Sequence, residues 1–295
     1  MAIVRVEEIS YGVSDLVQCT KFAEDFGLER VSAAAAESVF RTATNQLIRF
    51  RGLDDPSLPS AVADGPCIRQ IIWGVSAESD LDGIASELGV DRGSEGSIYA
   101  ADLTGFSIGF RLARAKAVEV RRRPINSFGV TERLNDRHDR YERARPLRII
   151  HVALDIPKLG AAEATRFYSE RLHFKAVEDI APTGTFLQCE GEVDHHQLFL
   201  CHRTNRAGIN HVAFEVRDFD EIAEGGNYLS QQGWSEARRL GRHTVGSNVF
   251  RFFEAPMGGR VEYAADMDKV EKSMPTRFWP ESPPHHLWVL KGNGD

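Results

Sequence analysis

Histidine placement is the first chemical clue. The chain holds ten histidines, and none precedes His138. His151 and His211 sit inside the apolar runs Ile149-Ile150-His151-Val152-Ala153-Leu154 and Ile209-Asn210-His211-Val212-Ala213-Phe214. Short apolar runs of this kind read as buried strands. Glu262 stands in Arg260-Val261-Glu262-Tyr263, directly after the turn residues Ala255-Pro256-Met257-Gly258-Gly259. A carboxylate in apolar company needs a partner, and a metal ion is one such partner. Two histidines and one carboxylate make the facial triad of non-haem iron(II) enzymes, which leaves positions open for substrate and O₂.

The elements that must position these residues recur along the chain. Four similar units each begin with an apolar strand, pass through an amphipathic helix and continue into further strands. The units start at residues 8–16, 70–75, 149–155 and 209–216. Their helices are expected over 21–26, 81–88, 161–172 and 219–232, with Gly27, Gly89 and Gly233 as stops. A repeat of this size means duplicated structural units. Residues 242–263 read as strand, tight turn and strand: Val249 to Phe253 is β-branched and aromatic, and the Pro-Met-Gly-Gly cluster punctuates. The first half acts as an internal control. Asp102-Leu103-Thr104-Gly105-Phe106-Ser107-Ile108-Gly109 matches the turn and strand that carry Glu262. Gly109 then falls where Glu262 falls, and Gln70, aligned through Trp73 and Val75, falls where His211 falls. The first half keeps the pattern without the ligands.

Composition narrows the class. The 295 residues are 42% apolar and 27% charged, as a globular core requires, and the net charge is −7. That sign argues against nucleic acid as a partner. No run of about 18 apolar residues suggests a membrane span, and the start shows no signal peptide, so the cytoplasm is expected. Cys19, Cys67, Cys189 and Cys201 lack CxxC spacing and read as reduced and structural. Residues 114–147 are charged with both signs and read as a solvated linker. Residues 273–295 form a tail too rich in proline for regular structure. Its Trp279 and Trp288 nonetheless need packing.

At this point the chain resembles the type I extradiol ring-cleaving dioxygenases of the vicinal oxygen chelate superfamily, which also includes glyoxalases and bleomycin-resistance proteins. The pattern His243…Gly246-Ser247-Asn248…Pro256…Gly258…Glu262-Tyr263…Asp266 carries the resemblance most strongly. It implies an α+β fold of four βαβββ modules in two tandem domains, each a curved, half-open barrel-like sheet. The expected boundaries are 1–113 for a ligand-free pair of modules, 114–147 for the linker, 148–272 for the metal-binding pair and 273–295 for the tail. The resemblance implies Fe(II), with Mn(II) the other candidate, held by His151, His211 and Glu262. It implies an acid-base role for His196, with His195 the competing neighbour, and a hydrogen bond from His243 to the bound diol. The expected partners are a catechol-type substrate and O₂, in a homo-oligomer. One departure stands out: Phe252 occupies the place of the family's tyrosine. Arg238, Arg239 and Arg251 are candidates for a substrate carboxylate. The tail is expected near the pocket as a lid or as packing against a surface. Competing readings are another metalloenzyme of the superfamily, glyoxalase-like, and a small-molecule-sequestering protein.

Overall fold

A computed structural model describes residues 2–121 and 123–291; Arg122 of the linker and residues 292–295 of the tail lie outside the described residues. The first unit is β1 (Ile3–Val13), α1 (Leu16–Asp25), β2 (Glu29–Ala34), β3 (Glu37–Arg41) and β4 (Leu47–Gly52). The second is β5 (Cys67–Val75), α2 (Glu78–Leu88), β6 (Ile98–Ala101) and β7 (Ser107–Leu112). The third is β8 (Arg148–Pro157), α3 (Ala161–Arg166) with a π-helical turn over Phe167–Arg171, β9 (Lys175–Ile180), β10 (Gly184–Gln188) and β11 (Leu198–Arg203). The fourth is β12 (Gly208–Glu215), α4 (Phe219–Gln231), β13 (Glu236–His243), β14 (Val249–Glu254) and β15 (Arg260–Ala265). Two tail strands follow, β16 (Arg277–Trp279) and β17 (His286–Val289).

Three units have the expected βαβββ order, and the second has one strand fewer among the described residues. Residues 89–97, between α2 and β6, are rich in glycine and charge. Arg92 ties this stretch back to Glu78 and Asp82 instead of letting it pair as a strand. Side-chain caps set two helix starts: Asp15 accepts from the Gln18 amide at 2.8 Å and Asp218 from the Glu221 amide at 2.9 Å.

The units assemble in pairs. The first half forms one sheet in the order β2-β3-β4-β1-β5-β7-β6. The second forms a larger one, β16-β9-β10-β11-β8-β12-β15-β14-β13-β17. At the centre of each, the opening strands pair antiparallel, β1 with β5 and β8 with β12. The expectation of an irregular tail is corrected here. β16 adds to one edge of the second sheet, parallel to β9, and β17 adds to the opposite edge, antiparallel to β13. Backbone pairing at an open edge overrides the proline signal, because the prolines lie outside the strands, Pro275 before β16 and the other three between β16 and β17. This placement also shows the curvature. Ten flat strands would hold their outer edges about 43 Å apart. Trp279 and His286 are seven residues apart in sequence, which reaches about 25 Å at most. The sheet must therefore curl towards a barrel, and residues 280–285 cross its open side as a strap.

One apolar cluster runs through both halves. The Phe26 ring stacks on Tyr263 with centroids 4.3 Å apart, and Tyr263 Oη donates to the Phe26 carbonyl at 2.7 Å. Trp73 meets Phe174 edge-on at 5.1 Å, and Tyr168 Oη donates to Asp102 at 2.8 Å. The end of the linker is packed, not fully solvated: Tyr141 and Ala144 are buried, and Tyr141 Oη donates to Asp218 at 2.6 Å. The four cysteines are free and buried. Among the described residues no helix is long and apolar enough to cross a membrane.

The Phe26 ring should therefore couple the halves. Phe26→Ala is expected to lower the unfolding free energy by roughly 3–5 kcal/mol, the usual cost of deleting a buried phenylalanine. Urea titration with an unchanged slope checks this. A loss below about 1 kcal/mol would show that the halves are held together elsewhere.

Candidate metal centre

The three central strands of the second sheet bring His151, His211 and Glu262 together. His151 lies opposite Ala213 across the β8–β12 ladder, and Ala213 lies opposite Glu262 across the β12–β15 ladder. His211 is two residues before Ala213, so strand alternation puts it on the same face. The result is a tight cluster in which one ligand atom from each residue lies within 4.8 Å of the others. His151 Nε2 is 2.9 Å from His211 Nε2, and both nitrogens are 3.4 Å from Glu262 Oε2. All three residues are buried, and Glu262 has 0% exposure.

Surrounding groups fix the orientation of each ligand. His211 Nδ1 is 2.8 Å from Asn210 Oδ1, which directs Nε2 into the cluster. Asn210 Nδ2 in turn donates to Asp155 at 2.8 Å, and Arg260 donates to Asn210 Oδ1. Asn248 Nδ2 donates to Glu262 Oε1 at 2.9 Å. The other oxygen, Glu262 Oε2, has no hydrogen-bond partner although it is buried. An unpaired buried carboxylate oxygen is costly, and a cation placed among Oε2 and the two nitrogens removes that cost. The donor set therefore fits a divalent ion. Burial pushes the Glu262 pKa up, but the contacts from His151 and His243 outweigh it and hold the carboxyl well below its usual range. Burial keeps His211 and His196 well below the ordinary imidazole value. The centre thus presents an ionised carboxylate and a neutral His211.

A cavity of about 270 Å³ opens above the cluster. That is near the lower end of ligand pockets, roughly 300–1,000 Å³. His196 and His243 line it together with His151 and His211. The ring of His196 is 4.2 Å from that of His151. His195 and His196 lie in the loop before β11, not in a strand. Of the two, His196 faces the cavity. His195 Nε2 is 3.3 Å from Glu178, outside the lining. His243 stacks on Phe250 at 4.1 Å, and its Nε2 is 3.7 Å from Glu262 Oε1. Phe252 closes another wall, edge-on to His211 at 5.1 Å.

The three candidate arginines separate. Arg238 lines the cavity, with its Cζ 5.2 Å from the Phe252 ring centroid. Among the described residues no carboxylate lies within ion-pair distance of Arg238. Arg251 instead donates to Glu236 at 2.6 Å and to the Ala223 carbonyl at 2.9 Å, against α4. Arg239 is exposed and outside the lining. Ser282, Pro283, Pro284 and His285 of the strap complete the cavity.

Sequence reasoning missed several of these residues. Asn248 entered only through the Gly-Ser-Asn part of the pattern that carries the resemblance, with no contact to Glu262 assigned to it. Glu178 accepts from Arg277 at 2.9 Å and from the Trp279 indole, so it anchors β16 beside His195. Only the distant pairing of β9 with β16 brings these groups together, and nothing local announces it.

The chain is similar to several known proteins. Residues 148–263 match the family model of the Glyoxalase/Bleomycin resistance protein/Dioxygenase superfamily. Metapyrocatechase 2 from Cupriavidus necator is 30% identical over 139 residues, which span 47% of this chain and 42% of that protein. The Mn(II)-bound glyoxalase from Novosphingobium aromaticivorans has a similar fold, with TM-score 0.69 and 20% identity over 96% of this chain and 89% of that chain. Homoprotocatechuate 2,3-dioxygenase from Arthrobacter globiformis also does, with TM-score 0.69 and 20% identity over 94% of this chain and 84% of that chain. The tandem vicinal-oxygen-chelate fold is thereby shown, and the chain resembles the type I extradiol dioxygenases within that superfamily.

Asn248 offers a test of the cluster that leaves all three ligands in place. Asn248→Ala is expected to weaken metal retention by roughly 10–100-fold, as loss of a group that orients a ligand does. Competition with a chelator measures it. Unchanged affinity would mean that Asn248 does not orient Glu262 for binding.

Proposed function

We propose that this chain is an iron(II)-dependent extradiol dioxygenase that opens a catechol-type ring beside its two hydroxyls and inserts both atoms of O₂. The observation that carries the reading is the fully buried Glu262 carboxylate, whose unpaired oxygen faces two imidazole nitrogens at the floor of a cavity. His151, His211 and Glu262 would hold the ion, and Mn(II) is the other ion suited to the same donors. When bound, the metal supplies a Lewis-acid centre with positions left open for a vicinal diol and for O₂. The metapyrocatechase and homoprotocatechuate dioxygenase relatives support the reading.

The remaining roles belong to side chains of the wall. His196 Nδ1 is engaged by His195 Nδ1 at 3.1 Å, which leaves Nε2 for the substrate. A neutral imidazole there takes a proton from a diol hydroxyl and returns it to the opened product. His243, half-buried beside Glu262, would hold a diol oxygen. Phe252 has no hydroxyl to give, so the wall it forms only packs. Two guanidinium groups lie near its ring, with Arg238 Cζ at 5.2 Å and Arg260 Cζ at 5.3 Å from the centroid. We assign Arg238 to a carboxylate on the substrate: Arg203 and Arg260 also line the cavity, but Arg203 pairs with Asp155 and Arg260 donates to Asn210, whereas among the described residues Arg238 has no such partner. The strap would act as the lid that excludes water during turnover.

A second reading rests on Phe252 and on the glyoxalase neighbour. Glyoxalase-type isomerisation uses the same fold and consumes no O₂. Adding a panel of catechols without oxygen and then admitting air separates the two. Oxygen uptake with a coloured ring-fission product is expected, and isomerisation without uptake would favour the second reading.

Three variants refine the assignment. Glu262→Gln is expected to lose the metal, as read by elemental analysis. His196→Phe should keep it and slow kcat by roughly 10²–10⁴-fold, the worth of a general acid-base group. Arg238→Ala should raise KM roughly 10–100-fold for diols bearing a carboxylate, the equivalent of one charged hydrogen bond. It should leave KM for unsubstituted catechol within about a factor of two, short of the loss of any such bond. Equal effects on both substrate classes would sink the carboxylate assignment.

A further inference from the structure

The strap brings a second set of imidazoles to the cavity. His243 ends β13 and pairs in register with His286 of β17, and His285 immediately precedes His286. The three rings crowd together, with centroids 5.3 Å apart for His243–His285, 5.7 Å for His243–His286 and 4.4 Å for His285–His286. One ring nitrogen from each lies within 4.8 Å of the others, and His285 Nδ1 is 2.9 Å from His286 Nε2. Two nitrogens of a tetrahedral zinc site stand about 3.3 Å apart for bonds of roughly 2.0–2.1 Å. The His285–His286 pair lies within a few tenths of an ångström of that separation, and rotation of the partly exposed strap rings would bring the pairs with His243 to it from within 4.8 Å.

We propose that His243, His285 and His286 form a second metal site at the cavity entrance, suited to Zn(II) or a similar borderline ion, with water as fourth ligand. Three imidazole nitrogens select such ions over calcium or magnesium. Partial burial, with His243 and Arg238 close by, holds the pKa of His285 at about 3. Partial burial and the same two neighbours hold His286 at about 4. Both are therefore in the ligating form at neutral pH. The charge of Arg238 opposes a cation here, which ranks this site below the buried centre in affinity.

Occupancy has a mechanical consequence. His243 belongs to the sheet, whereas His285 and His286 belong to the strap and its strand, so one ion would staple the strap across the cavity. It would also draw His243 away from a diol. That second effect rests on the role proposed for His243, but the stapling does not. The site would make turnover sensitive to zinc without displacement of the catalytic ion.

The test uses full-length, iron-loaded protein titrated with Zn(II) without oxygen, with binding followed by calorimetry and both metals by elemental analysis. One equivalent of zinc should bind with iron retained, and proteolysis within the strap should slow. His285→Ala and His286→Ala should each weaken zinc binding at least tenfold with unchanged circular dichroism. Cobalt(II) in place of zinc should show visible ligand-field bands that His286→Ala removes. The same titration on Glu262→Gln separates the sites, because His286-dependent zinc binding should survive there even if the dioxygenase reading fails. Zinc uptake matched by loss of iron, or equal zinc affinity in wild type and both strap variants, would overturn the proposal.

Discussion

The structure turns on one fully buried carboxylate. Glu262 has no exposure, and only one of its oxygens has a hydrogen-bond donor, from Asn248. An ionised group in that position is tolerated only if positive charge or several donors face it. Two strands, β8 and β12, supply imidazoles from the same face. Their own orientation is set one layer further out, where Asp155 holds Asn210 and Asn210 holds His211. The architecture follows from this demand: three central strands must stay in register to within a residue. A slip of one would turn every ligand to the opposite face.

The first half solves the same position differently. Glu8 lies opposite Ile72, which lies opposite Gly109, just as His151 lies opposite Ala213 and Ala213 opposite Glu262. Gln70 pairs with Ser107 as His211 pairs with Arg260. The buried Glu8 is therefore the counterpart of His151. It is neutralised by Arg49 and Arg111, each 3.0 Å away. Gly109 has no side chain to serve as a ligand, and a Cβ there would lie 3.0 Å from the Tyr99 ring, which fills the space instead. Guanidinium groups of the chain do in this sheet what a metal ion is proposed to do in the other. One sheet plan accommodates a structural ion pair or a reactive centre, depending on three residues.

Much of this was legible in the sequence because the signals are local. Apolar runs marked the central strands, and glycines marked the helix ends. Two histidines in the opening strands of the third and fourth units and a carboxylate in apolar company beside a turn singled out His151, His211 and Glu262, whose ligand atoms the fold brings to within 4.8 Å of one another. The alignment of Gln70 with His211 and of Gly109 with Glu262 coincides with the strand register. What escaped was non-local. Composition flagged residues 273–295 as irregular, yet their pairing partners β9 and β13 lie far away in sequence. The same holds for Glu178, a mid-strand acid on a charged surface pattern until β16 folds beside it. The orientation of His195 and His196 was ambiguous because both precede β11, where strand alternation does not apply.

The strap gives the tail a role that its composition conceals. A sheet curled towards a barrel leaves two edges, each a row of unpaired backbone groups that must be covered. Here a single segment covers both, with β16 on β9 and β17 on β13, and its proline-rich centre has no backbone pairing to lose. Thr183 and Ser282 join their hydroxyls midway, beside the cavity that Pro283 and Pro284 help to line. Covering the edges and roofing the cavity are thus one structural event. The strap cannot swing clear as a hinged lid at both ends without exposing two strand edges. Opening by one edge alone is the less costly path. The β17 edge has three paired positions with a register irregularity, and its side chains are largely exposed. The β16 edge is reinforced by the Glu178 contacts to Arg277 and Trp279. The register irregularity at one end and the Glu178 contacts at the other favour opening at the histidine-bearing end, which would carry His285 and His286 away from His243.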